Sequence, residues 1–328
     1  MAVSPLPSTP KATRANTSAL FEVRPDIWGL RNVFANLYFL RTSASSRQWV
    51  LLDAGLPGSA KEVQKAAEQL FGADNPPQAI ILTHGHFDHV GALAHVLALW
   101  PRVLVYAHAL ELPYLTGASA YPPPDPTVGG GAMATLSFLY PKQPINPGAR
   151  VQTLPADGSV PALPAWRWVA TPGHTPGHVS LFREQDSTLL AGDAFVTVLA
   201  ESGLATLTQR QEVHGPPAYF TPDWQAARRS VARLAALQPE LAATGHGIPM
   251  QGPLLQQQLN RLVLDFTALA VPAQGRYVPE PAVADATGVV YVPPARRLVP
   301  GWAIGAGLVL VGALLWQRAT RTVGPLAT

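Results

Sequence analysis

The chain has 328 residues, 48% of them hydrophobic and 13% charged, with a formal net charge of +3 and no cysteine. That length buries a sizeable core, so a disordered chain and a disulfide-stapled miniature are excluded. Without thiols, any metal must sit on nitrogen and oxygen donors. The excess of 23 basic over 20 acidic residues is too small to argue for nucleic acid, and the 34 prolines and 27 glycines follow no tandem period, which excludes collagen-like and solenoid architectures.

Residues 1–20 are polar and rich in Pro, Ser and Thr, lack the apolar core of a secretion signal, and read as a flexible lead-in. From there to residue 270, short β-prone runs alternate with helical patterns. Strands are expected at 33–40 and 49–55, a helix at 59–72 stopped by Gly72, and a fully apolar strand at 79–83 that runs into HGHFDHVGALAHVLALW, whose second half is helical. Further strands are expected at 103–108, 167–174, 179–184, 188–193 and 241–247, with helices at 223–237 and 252–270. The stretch from Leu112 to Gly148, carrying Tyr114, Tyr121, Phe138 and Tyr140 among Pro and Gly, is too long for a plain connection and is expected to roof a cleft or pack as a small unit of its own.

The C-terminal part reads differently. Residues 271–297 are Pro-rich and look like a spacer. Leu298 to Trp316 is an uncharged run of 19 residues bracketed by arginines, spanning about 28 Å as a helix, and a short tail, 317–328, follows. The expectation is a transmembrane helix with the lipid bilayer as partner: a single-pass C-terminal anchor that, in the absence of a signal, leaves the body on the cytoplasmic side.

The chemistry concentrates in His84, His86, Asp88 and His89, directly after a buried strand. Alternate residues of an extended segment point to one side, so His84 and His86 can share an ion, while Asp88 and His89, where the chain turns into a helix, can address a second. Imidazole and carboxylate donors suit zinc first, with iron or manganese as alternatives. His174, Asp193 and His246 stand at strand ends or in Gly/Pro turns and are the remaining ligand candidates. His178 is expected to orient His174 or the substrate, His95 and His108 to be ordinary helix and strand-edge residues, and His214 to lie in a loop beside the cleft.

Five segments in order, LLDAG, THGHFDH, TPGHTPGH, AGD and TGHG, make residues 22–269 resemble the metallo-β-lactamase superfamily of metallohydrolases, in particular its glyoxalase II-like and lactonase-like binuclear branch. The resemblance implies an α/β fold, an αββα sandwich of two mixed sheets with a binuclear site at one edge. It implies that His84, His86 and His174 hold one divalent ion, that Asp88, His89 and His246 hold the other, and that Asp193 bridges them. A bridging hydroxide would be the nucleophile and Asp88 the acid–base group, with Asp53 of the first motif in a supporting role.

Departures from relatives narrow the reading. His86 stands where the flavin-partnered diiron oxidoreductases carry Glu, so hydrolysis outranks redox chemistry. Asp193 separates the chain from the antibiotic-cleaving enzymes. The region matching the basic glutathione-binding part of glyoxalase II carries one arginine among glutamines and leucines, which argues against a glutathione adduct. The expected function is a membrane-tethered hydrolase of a small-molecule ester, lactone or thioester; the alternatives are a phosphodiesterase on the same two ions and a non-enzymatic membrane scaffold.

Overall fold

Leu20–Arg24 (β1), Ile27–Asn32 (β2), Ala35–Arg41 (β3) and Trp49–Leu52 (β4) form an antiparallel meander in the computed structural model, which describes residues 19–43 and 45–295. Ala79–Ile81 (β5), Val105–Ala107 (β6) and Val151–Thr153 (β7) add on in parallel, completing a seven-stranded sheet in sequential order. Parallel joins need crossovers. Ala60–Phe71 (α1) provides the first, and Phe87–Val90 (α2) with Leu93–Leu99 (α3) the second. Leu112–Leu115 (α4) and Ala132–Thr135 (α5) lie in the long connection to β7.

The second sheet contains Trp166–Ala170 (β8), Val179–Arg183 (β9), Thr188–Gly192 (β10), Leu241–Thr244 (β11) and Met250–Gln251 (β12), in the order β12-β11-β10-β9-β8. Only β10 and β11 pair in parallel, and their crossover carries Gly203–Thr208 (α6) and Trp224–Ala236 (α7). Asp223 caps α7 by accepting from the Ala226 N–H at 2.9 Å. Gly252–Leu264 (α8), Phe266–Leu269 (α9) and a hairpin of Val283–Asp285 (β13) and Gly288–Tyr291 (β14) follow.

Side-chain alternation explains the layering. On β3, Leu37 and Phe39 pack outward with Val63 and Phe71 of α1 and Val96 and Leu97 of α3. Tyr38 and Leu40, one residue out of phase, face inward and meet Leu181 of β9, Leu190 of β10 and Ala243 of β11 between the sheets. The outer face of the second sheet, with Phe182, Leu189 and Ala242, is covered by Val231 and Leu234 of α7 and by Leu255 and Leu259 of α8. The result is the expected αββα sandwich of two mixed sheets.

Two expectations for the C-terminal part are corrected. The described residues form the sandwich alone: among them no helix is long and apolar enough to cross a membrane, so the expected transmembrane helix is not supported, and the 298–316 run lies outside them. The single-pass anchor, and the membrane location built on it, are withdrawn. The stretch after residue 270 is not a detached spacer either. Tyr277 is buried and donates to the Pro123 carbonyl at 2.6 Å, Gln274 donates to the Thr127 carbonyl at 3.1 Å, and the Val289 N–H donates to Ser119 Oγ at 3.1 Å. Proline-rich backbone has few N–H groups to satisfy, so it can be laid along the body with only scattered hydrogen bonds.

Candidate metal centre

The chemistry-bearing residues collect where strands end. Asp53 follows β4, His84 and His86 follow β5, Asp88 and His89 lie on α2, His174 is in the turn between β8 and β9, Asp193 follows β10, and His246 follows β11. All are buried. Among the described residues, three His/Asp groupings have donor atoms within 4.8 Å of one another: His84, His86 and His174; His84, His89 and Asp193; and Asp88, His89 and His246. These groupings contain every ligand candidate of the sequence reading. Asp193 Oδ2 is 3.0 Å from His246 Nε2 and 3.4 Å from His174 Nε2, and its Oδ1 is 3.6 Å from His89 Nε2, so it lies between the first and last groupings.

Outer hydrogen bonds set the ring orientations. Asp53 Oδ2 accepts from His89 Nδ1 at 2.8 Å, which turns His89 Nε2 toward the cluster. Thr83 Oγ1 donates its one proton to the same Asp53 oxygen at 2.8 Å and can therefore only accept from His84 Nδ1, 3.0 Å away, leaving the His84 Nε2 lone pair facing inward. His246 Nδ1 donates to the Phe34 carbonyl at 2.9 Å, so Nε2 faces the Asp193 and Asp88 carboxylates. Asp53 does this with its backbone in the left-handed region, φ 62°, which Asp tolerates better than most residues.

Electrostatics divides the cluster. Burial, reinforced by neighbouring imidazoles, holds His84 and His174 well below the usual histidine range, and burial pushes His86 down to about 3. Burial also opposes charge on His89 and His246, but the facing carboxylates, Asp193 foremost, outweigh it and raise both. Burial raises Asp88, whereas on Asp193 the nearby His246 and His89 overcome burial and lower it. His84 Nε2, His89 Nε2, Asp88 Oδ1 and Asp193 Oδ1 are buried without a hydrogen-bond partner. Inward lone pairs and carboxylate oxygens left without donors are what a bound cation satisfies, so the donor set fits metal.

His178 is a correction in detail. Its Nε2 accepts from the Asp193 N–H at 2.9 Å and its Nδ1 pairs with Thr171 Oγ1 at 2.8 Å, so its hydrogen bonds brace Asp193, while its ring lies edge-on 6.1 Å from that of His174. His95 is exposed, and His108 caps a short turn by accepting from the Leu110 N–H. His214 pairs its backbone with Val196.

The 112–148 insert reaches the histidine cluster, and its apolar residues pack with residues outside it and not as a separate small core. The ring of Tyr121 lies 4.6 Å from that of His86, while Tyr140, Met133 and Ala134 pack with Tyr219 and Phe220 into a small cluster, Phe220 stacking 4.4 Å from His86. A small cavity beside His86 and His174 is lined by Tyr121, Phe220, Pro222 and Tyr277. Sequence reasoning missed Thr83, Phe34, Glu111, Phe220 and Tyr277. Only Thr83 carried a signal, its place directly before the histidine cluster. Burial pushes Glu111 up to about 7 against the hydrogen bonds it accepts.

Residues 30–246 match the family described as Metallo-beta-lactamase superfamily. The probable metallo-hydrolase YflN of Bacillus subtilis is 48% identical over 250 residues, covering 76% of this chain and 94% of that protein. A hydroxyacylglutathione hydrolase of Erwinia tasmaniensis is 32% identical over 126 residues, covering 38% of this chain and 36% of that protein. The crystal structure of a beta-lactamase domain protein from Burkholderia ambifaria, at 24% identity and TM-score 0.50, covers 77% of this chain and 79% of that one, a likeness of fold. On the extent of these matches and the sandwich that carries the His/Asp cluster, the chain belongs to the metallo-beta-lactamase superfamily and is a metal-dependent hydrolase.

Proposed function

We propose that the protein hydrolyses a carboxylic ester, lactone or thioester at a two-ion site. His84, His86 and His174 hold one divalent ion, Asp88, His89 and His246 the other, and Asp193 is shared. Zinc is the ion that this nitrogen-rich set favours, with iron or manganese as alternatives. The observation that carries the reading is Asp193, whose two oxygens lie 3.0 to 3.6 Å from imidazoles of both outer groupings.

Ions held by these residues would supply Lewis acidity, lowering the pKa of the attacking water and polarising the carbonyl under attack. The chain's own residues do the rest. Asp53, Thr83 and the Phe34 carbonyl hold three imidazoles with their Nε2 atoms inward. Asp88 Oδ1, buried and without a partner, takes the proton of the attacking water and returns it to the leaving oxygen or sulfur. Tyr121, Phe220 and Tyr277 form an aromatic wall beside His86 and His174 that favours an apolar acyl group. The similarity to a hydroxyacylglutathione hydrolase supports thioesters within this class.

The test is turnover by zinc-loaded protein of p-nitrophenyl acetate, an acyl lactone and an acyl thioester, with bis(p-nitrophenyl) phosphate as the competing substrate. Acyl substrates should be preferred, and Asp88→Asn should lower kcat by at least about a hundredfold without loss of fold. Preference for the phosphodiester would overturn the substrate class, and undiminished turnover in Asp88→Asn would overturn the role of Asp88.

A further inference from the structure

Glu111, between β6 and α4, is fully buried and its carboxylate is met by donors from three separate segments. Oε1 accepts from Thr175 Oγ1 at 2.7 Å and from the Gly177 N–H at 2.9 Å. Oε2 accepts from the Gly85 N–H at 3.0 Å and from the Tyr121 hydroxyl. The packing is close: a Cβ on Gly177 would lie 2.8 Å from Glu111 Cγ, and one on Gly85 would lie 2.6 Å from the Tyr121 hydroxyl. A buried carboxylate is tolerated when its lone pairs find donors, and here both oxygens are doubly served.

The identity of those segments gives the carboxylate its meaning. Gly85 stands between His84 and His86, in the turn that leaves the first sheet after β5. Thr175 and Gly177 belong to the turn of the second sheet that carries His174. The two turns bring His86 Nδ1 to 2.9 Å from His174 Nε2, across 88 residues of sequence. In the hydrogen bonds around this pair, Glu111 touches both turns at once, and through Tyr121 it also touches the roof.

We propose that Glu111 is a positioning residue that ties the His84–His86 turn to the His174 turn, fixing the three imidazoles of one ion's ligand set and hanging the roof from the same carboxylate. This rests on the reading of those three histidines as ligands of one ion. A glutamine at 111 keeps the size but turns an N–H₂ group toward two of the four donors, so the turns must shift or lose bonds. Loss of such an outer partner lowers metal affinity by about 10–100-fold.

The experiment measures the two stepwise zinc dissociation constants of wild-type protein and Glu111→Gln by competition with a chromophoric chelator, with circular dichroism of the metal-free forms. The expected result is one zinc weakened about 10–100-fold, the other unchanged, and a metal-free spectrum like that of wild type. Both zinc ions bound as tightly as in wild type would overturn the role of Glu111, as would a lower melting temperature with both affinities intact. Wild-type protein that binds no zinc would remove the two-ion reading itself. If Glu111→Gln does not fold, Thr175→Val deletes a single donor to Oε1, and the same split between the two zinc affinities, present or absent, decides the matter.

Discussion

Asp53 Oδ2 receives both the Nδ1–H of His89 and the hydroxyl of Thr83, each at 2.8 Å. Because Thr83 in turn holds His84, one carboxylate orients an imidazole in each of the two outer groupings, directly in one case and through a hydroxyl in the other. Asp53→Ala should therefore weaken both ions, by about 10–100-fold each, unlike a change at Glu111, which should weaken one. Chelator competition checks this, and selective loss of a single ion would contradict the shared role.

Elemental analysis of protein prepared without chelator should find about two transition ions per chain. Stripping them should lower the melting temperature, since ligand held at a hundred times its Kd stabilises the folded state by about 2.7 kcal/mol, and zinc should restore it. Protein that contains no transition metal and melts identically before and after chelation would sink the metal assignment.

Tyr277 lies outside the matched residues 30–246, yet its buried ring lines the cavity beside His86 and His174 and its hydroxyl donates to Pro123 in the roof. Tyr277→Ala should lower stability by about 3 kcal/mol, in the range for truncating buried aromatics, and should raise KM for acyl substrates. Denaturant titration and steady-state kinetics read the two effects; a wild-type KM would show that the ring serves packing alone.

Arg183 on β9 donates to Asp186 from Nε at 2.9 Å and from Nη2 at 2.8 Å, and also reaches Asp26 between β1 and β2. Burial alone would raise Asp186, but Arg183 lowers it below its ordinary value. A carboxyl whose folded pKa is depressed contributes stability above its unfolded value of about 3.9 and loses it as pH falls through the folded one. Wild-type protein should thus melt higher than Asp186→Asn near pH 6, with the gap closing below about pH 4. A gap that stays constant down to pH 2.5 would refute the pairing.

The central strands and the main helices were legible because their signals are local. Apolar runs at 79–83 and 188–193, helical spacing at 59–72, and histidines at alternate positions after a strand depend only on neighbours in sequence. The strands at 20–24 and 27–32 were missed, since edge and meander strands carry mixed polar residues whose pairing is set by β3, and the expected start at 33 is in fact a turn with Val33 at φ 62°.

The ligand candidates could be named from motifs, but which histidine meets which carboxylate depends on sheet ends that are distant along the chain. Thus His246 reaches Asp193 across 53 residues and the Phe34 carbonyl across 212. Glu111 in AHALEL and Tyr277 in GRYVPE carry no pattern that separates them from surface residues. Their roles arise only when packing excludes water around them, because a buried carboxylate or hydroxyl must find its partners wherever the fold brings them.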